Sequence, residues 1–406
     1  MKQSSSIATD PWATPAPTNI FSPWPYFAPD EIEAVRAVLM SGRVNYWTGS
    51  ECREFEKEYA KEARTAHAIA LANGTVSLEL ALAVLDVREG DEVVTTPRTF
   101  IASASCAVMR GAVPVFADVD RDSQNITAET IARAISPRTK AIIVVHLAGW
   151  PCEMDAILEL ASERGIHVIE DCAQALGALY KERPVGGLGT VGSFSFCQDK
   201  IITTGGEGGM LTMNDEDHWS RAWAYKDHGK SYDAVYKKQH PLGFRWLHES
   251  FGTNWRMTEV QAAIGRLQLR KLPEWTAKRR ANAAGLIEGL RAVKNLRIPV
   301  PPAHIRHAYY KFYAFLEPCS LREGWSRERI VAEINARGVP CFSGSCSEIY
   351  LEKAFAGHRS RPAERLPIAR ELGELSLMFL VHPTLAPAHI GRTCEVTADV
   401  CALALR

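Results

Sequence analysis

The chain has no excess of charge: 47 Lys and Arg are matched by 47 Asp and Glu across 406 residues. No net field recruits nucleic acid or an anionic membrane, so an anionic ligand must be held by local groups. No run approaches the roughly 18 apolar residues that a membrane helix requires. The ten cysteines include no C-x-x-C pair and no Cys/His cluster at zinc spacing, so no metal site is expected. Cys106, Cys172 and Cys197 lie in apolar or small-residue stretches, as buried free thiols do, which suits a reducing cytoplasm. Met1-Lys2-Gln3-Ser4-Ser5-Ser6 lacks the apolar stretch of a secretory signal, and a cytoplasmic protein is expected. Internal repeats and charged low-complexity tails are also missing. What remains is an ordinary globular composition, 46% apolar and 23% charged, with length for two or three domains.

Residues 1–28 are rich in Ser, Thr and Pro and read as an extended arm, with Trp24-Pro25-Tyr26-Phe27 able to dock on the body or on a partner. Asp30–Met40, with Asp30 as N-cap, and Cys52–Ala63 read as helices. Apolar runs at His67–Leu71, Glu92–Thr96, Pro114–Ala117, Ala141–Val145 and Ile166–Ile169 then alternate with helical patterns at Val76–Leu85, Ile101–Arg110, Ala128–Ala134 and Asp155–Arg164. Such alternation predicts an α/β fold, a mainly parallel sheet flanked by helices, with ligands at the carboxyl ends of its strands. Those ends carry Asn73, Asp118, His146 and Asp171. The alternation stops near residue 215. A polar, aromatic-rich segment leads to a helix expected at Thr258–Leu272, and the rest mixes helices with strands. The expected domains are the arm, a large α/β domain over 29–257 and a smaller α+β domain over 258–406.

Two residues carry the chemistry. Asp171 ends the run His167-Val168-Ile169-Glu170, and Lys200 follows Phe194-Ser195-Phe196-Cys197-Gln198-Asp199 ahead of Ile-Ile-Thr-Thr-Gly-Gly-Glu-Gly-Gly. Pyridoxal phosphate (PLP) chemistry needs such a pair: a lysine amine to hold the cofactor as a Schiff base, and a carboxylate to keep its ring nitrogen protonated. Taken singly, the lysine reads as a solvated charge and the aspartate as a cap.

The surrounding text separates these readings. Val168–Met210 resembles the DegT/DnrJ/EryC1/StrS family of PLP-dependent sugar aminotransferases, of fold type I. Leu71-Ala72-Asn73-Gly74-Thr75, Gly90-Asp91-Glu92-Val93-Val94, Pro97-Arg98-Thr99-Phe100, Pro114-Val115-Phe116-Ala117-Asp118 and Asn254–Ala263 are similar to further family blocks in the same order. The resemblance implies that Thr75 and the amide of Val76, following Gly74, bind the cofactor phosphate together with Ser195. It implies that Phe100 stacks on the ring, Asp171 pairs with its nitrogen and Gln174 reaches its hydroxyl. Asn254 would cross from a second subunit to the same phosphate, giving a homodimer with shared active sites. Relatives that dehydrate sugars carry histidine where this chain has Lys200, so amine transfer is favoured. The implied reaction moves an amino group from an amino acid, L-glutamate in the usual case, to a keto-sugar, most often nucleotide-linked. A cyclitol ketone or an aminated aromatic precursor is the alternative acceptor, and a regulatory protein without turnover is the alternative class.

Weaker candidates line the substrate side by the same resemblance: Tyr46 in the turn Ser41–Gly49, His228, His307 and Tyr309. A loop histidine is equally a structural hydrogen-bonder. Asp118 and Asp120 look like paired carboxylates, although nothing in the sequence brings both into one site. Gly187-Leu188-Gly189-Thr190-Val191-Gly192 fits G-x-G-x-x-G but is followed by strand-like rather than helical text, which argues against a dinucleotide site. Its glycines read instead as letting the backbone pass close to the cofactor and lysine. By the same resemblance, Phe342–Ser347 would occupy the variable part of the small domain that usually shapes substrate choice, and it carries no recognisable specificity code.

Overall fold

A computed structural model describes residues 21–406, so most of the expected arm (1–20) lies outside the described residues. The chain is an α/β protein built on a seven-stranded sheet. From one edge the strands run His67–Leu71, Gly209–Met213, Val191–Ser195, His167–Asp171, Thr139–Val145, Glu92–Thr95 and Val113–Phe116. Gly209–Met213 pairs antiparallel with both neighbours, while every other pairing is parallel. Both faces are covered, so the central strands bury nearly every residue: Val93, Val94, Ile142, Ile143, Val144, Val168 and Ile169 are each at most 2% exposed. This is the continuous apolar text of a parallel sheet, and the five strands expected from it lie within one or two residues of their observed positions, while Val191–Ser195 and Gly209–Met213 complete the sheet without having been assigned as strands.

A second sheet holds Leu296–Arg297, Phe312–Leu316, Ser376–Phe379 and Cys341–Phe342, in that order and all antiparallel. The helices Arg327–Ala336 and Pro387–Ala404 pack beside it. One helix reaches both regions. The segment expected to stop at Leu272 runs from Glu259 to Leu290, straight through Pro273. An interior proline costs about 3 kcal/mol, yet Leu269, Leu272, Thr276, Arg279, Ala283, Leu286 and Leu290 are all buried on either side of it. Leu269 and Leu272 join the cluster around Phe55 and Phe196, and Ala283, Leu286 and Leu290 join the core of the second sheet. Burial of that stripe outweighs the local breaker.

One expectation at a chain turn is corrected. Asp30 is not the N-cap of the first helix: Pro29–Ser41 starts one residue earlier, capped at Ala28, whose N–H donates to the Glu31 carboxylate. The Trp24 cluster docks on the body of its own chain. Trp24 Nε1 donates to the Lys200 carbonyl at 3.0 Å, and its ring meets Trp275 edge-on with centroids 5.1 Å apart.

Candidate active site

The carboxyl ends of the parallel strands open on a cavity of about 1080 Å³. Thr75, Phe100, Asp171, Gln174, Ser195 and Lys200 all line it, arriving from four separate stretches of chain. The local causes are legible. Asn73 lies two residues beyond the strand His67–Leu71, and its side-chain oxygen accepts from Val76 N at 3.0 Å, capping the helix Gly74–Val84. That bond commits the Val76 amide, expected to face a phosphate, to Asn73. Gly74 and Thr75 precede it in the first turn, where amides have no acceptor within their own helix. A Cβ on Gly74 would lie 2.6 Å from Ser195 Cβ. Glycine is what brings the Thr75 turn and the Ser195 hydroxyl to one end of the cavity.

Asp171 lies at the bottom, 5% exposed. Ser103 Oγ donates to its Oδ2 at 2.8 Å and Ala173 N to its Oδ1 at 3.1 Å. Burial pushes this carboxyl above its ordinary value, and the two hydrogen bonds and the Lys200 charge offset that only in part. Gln174 Oε1 accepts from Ala148 N at 2.8 Å, which leaves its amide donors for the cavity that it lines. Phe100 is 68% exposed at the cavity wall, an apolar ring with little of its own protein to cover it. Lys200 sits in an irregular loop, with its N–H on the Cys197 carbonyl at 3.1 Å and its Nζ 5.0 Å from the Tyr310 ring centroid. Asp199 accepts from the Tyr310 hydroxyl and pairs with Lys311 at 3.6 Å. Burial is the largest influence on Asp199 and pushes it up, but the Lys200 charge, the Tyr310 hydroxyl and Lys311 together hold it below the ordinary carboxylate range.

The remaining candidates stand outside this cavity. Tyr46 is buried, with its hydroxyl donating to Glu56 at 3.2 Å and accepting from Trp223 Nε1 at 3.3 Å. His228 is exposed, with φ 59°, in the turn before Gly229. His307 stacks on Tyr309 with centroids 3.9 Å apart, accepts from Tyr309 N at 2.7 Å and is pushed down to about 3 by burial. It is a neutral structural histidine. Asn254 is exposed, bridged to Asp227 along the backbone. The two aspartates are caps. Asp118 accepts from Ile368 and Ala369 at the start of the helix Pro367–Leu375, and Asp120 accepts from Asp122 and Ser123 in its own turn.

The G-x-G-x-x-G stretch has a different partner from the one expected. Glu170, fully buried, accepts from the amides of Gly186, Leu188 and Gly189 at 2.7–2.8 Å, and its other neighbour is His146 Nε2 at 3.1 Å. Cys152 N donates to His146 Nδ1 at 3.0 Å, so Nε2 bears the proton and donates to Glu170. Glu170, His146 and Cys172 are close enough to suggest a metal, but both carboxylate oxygens already accept protein donors. The glycines serve this latch: a Cβ on Gly187 would lie 2.7 Å from the Ala63 carbonyl, and one on Gly189 2.7 Å from that of Val168.

Sequence reasoning missed Ser103, Asp199 and Lys311. Ser103 lies one helical turn after Phe100 and could have been found by that spacing. Lys311 could not be found by strand alternation, because Tyr309 has φ 50° and breaks the register before the strand begins at Phe312.

A sequence model of the DegT/DnrJ/EryC1/StrS aminotransferase family matches residues 25–397. The X-ray structure of an aminotransferase from Psychrobacter cryohalolentis superposes with a TM-score of 0.93 at 56% identity, covering 94% of this chain and 99% of that one. GDP-perosamine synthase of Caulobacter vibrioides is 39% identical over 354 residues, 86% of this chain and 89% of its own. The dTDP-3-amino-3,4,6-trideoxy-alpha-D-glucose transaminase of Streptomyces venezuelae is 32% identical over 366 residues, 90% of each chain. Among the described residues no helix is long and apolar enough to cross a membrane.

Proposed function

The chain belongs to the DegT/DnrJ/EryC1/StrS aminotransferase family, and on that premise we propose that it transfers an amino group from an amino acid, L-glutamate, to a keto-sugar carried on a nucleotide. The convergence of Lys200, Asp171 and Phe100 on one cavity supports this reading most directly. The donor set fits pyridoxal phosphate. A buried carboxylate suits a protonated ring nitrogen, an uncovered aromatic face suits the ring, and the Thr75 turn with the Ser195 hydroxyl suits a phosphate. When bound, this group supplies an electron sink that makes the donor's α-proton removable.

The chain's own residues do the rest. Asp171 fixes the ring nitrogen's charge, and Ser103 and the Ala173 amide hold the carboxylate in orientation. Lys200 would hold the cofactor through Nζ, and the same amine, when free, would serve as the base that takes the proton from the donor's α-carbon. Trp24 and the Cys197 carbonyl tether the Lys200 backbone while the side chain moves. The relatives that suggest a sugar acceptor differ in nucleotide, GDP in one and dTDP in another, so the nucleotide is left to assay. Asn254 reaches the phosphate of a second subunit in this reading; its exposed position outside its own cavity supports a homodimer with shared sites. The ten free cysteines support residence in a reducing cytoplasm.

The test is spectroscopic. The loaded protein should show a cofactor band that borohydride abolishes and L-glutamate bleaches. The amino-loaded form should then regain the band with one member of a panel of nucleotide keto-sugars. A band that glutamate leaves untouched would contradict the reading.

A further inference from the structure

Charge is scarce in the cavity. Lys200 and Lys311 are the cations lining it among the described residues, and no arginine does so. Asp171, Asp199, Glu207 and Glu352 line it as well. An amino-acid donor must bring a carboxylate to this wall, and a carboxylate leaving water needs a donor or a cation to replace its hydration. Lys200 is taken by the cofactor and the proton transfer, and Lys311 is the other cation that this chain's described residues bring to the wall.

The position of Lys311 suits that task. Its side chain is only 16% exposed, and its one ion-pair partner among the described residues is Asp199 at 3.6 Å, too long for a strong hydrogen bond. Asp199 already accepts from the Tyr310 hydroxyl. Lys311 Nζ lies 4.7 Å from the Tyr310 ring centroid and Lys200 Nζ 5.0 Å from the same centroid, so both ammonium groups flank one ring. Arg279 holds this segment in place by donating to the Tyr309 and Tyr310 carbonyls at 3.4 and 3.3 Å. An ammonium that is mostly buried, loosely paired and beside the reacting lysine is poised for an anion that arrives with the substrate.

We infer that Lys311 binds the α-carboxylate of the amino-acid donor, placing the donor's amine and α-proton toward Lys200. This rests on the aminotransferase reading of the cavity, and the experiment separates the two. Lys311→Met keeps the apolar stem and removes the charge. The loaded variant should retain the borohydride-sensitive band, while half-saturation by L-glutamate in the half-reaction rises about 10- to 100-fold, the range for losing one hydrogen bond to a charged group. Lys311→Arg should recover most of that loss. The α-amide of glutamate supplies a second readout: wild type should discriminate against it, and Lys311→Met should not. Half-saturation within twofold of wild type, or unchanged discrimination against the α-amide, would overturn the proposal, as would loss of the cofactor band, which would assign Lys311 to the phosphate. If wild type itself forms no glutamate-sensitive band, the aminotransferase reading has failed instead.

Discussion

Asp171→Asn separates what the buried carboxylate does for the fold from what it does for the reaction. The side chain keeps its size: its one oxygen can still meet the Ala173 amide, and the Ser103 hydroxyl, which now donates to the second carboxylate oxygen, can turn to accept from the amide nitrogen. In the cofactor-free protein, burial raises the Asp171 pKa above its unfolded value. A group with a raised folded pKa favours the folded state when protonated, so its contribution is present below the unfolded value and lost as pH rises through the folded one. Burial disfavours the ionised Asp171 carboxylate by more than its two hydrogen bonds and the Lys200 charge favour it, and the asparagine carries no such charge. The cofactor-free variant should melt at or above the wild-type temperature at pH 7, with the difference shrinking as pH falls toward 4. The loaded enzyme should show the reverse. A charge pair about 4 Å apart at a semi-buried site is worth roughly 4 kcal/mol, which corresponds to about a 10³-fold loss in kcat. Thermal melts of cofactor-free protein and single-turnover absorbance with glutamate measure the two halves. Turnover near wild type in Asp171→Asn would refute the reasoning, because another group would then supply the charge.

Lys200→Ala should fold normally and lose the borohydride-sensitive band, with amine transfer reduced at least about 10²–10⁴-fold by loss of proton transfer alone; assay and spectrum check both. Glu170→Ala leaves three loop amides and the His146 ring without their acceptor and should lower unfolding free energy by about 3 kcal/mol or more in urea titration. Mixing inactive Lys200→Ala chains with inactive Asn254→Ala chains should restore activity through hybrid dimers that carry one intact site, whereas a shared site is excluded if no mixture recovers any.

Much of the fold was legible because parallel strands covered on both faces must be apolar along their length. His67–Leu71 and Glu92–Thr95 could be read off as short runs between helical patterns. The long helix was not, because Pro273 is a local stop signal and the stripe that overrides it is stabilised by packing against elements distant in sequence. The site divided in the same way. Thr75, Phe100, Asp171, Gln174, Ser195 and Lys200 sit in motifs next to strand ends, and they line one cavity. Lys311 was invisible because a left-handed residue at Tyr309 breaks the alternation just before it. Glu170 was read only as the neighbour of Asp171. Its latch on Gly186, Leu188 and Gly189 depends on a loop returning over the strand, which no local pattern encodes.

The most direct test is to reduce the loaded protein with borohydride, digest it and locate the reduced cofactor by mass spectrometry. The label should sit on the peptide containing Lys200 and be absent from that peptide in Lys200→Ala. A label on Lys311 or any other lysine, or none at all in protein that binds the cofactor, would contradict the assignment of Lys200 as the cofactor-bearing residue.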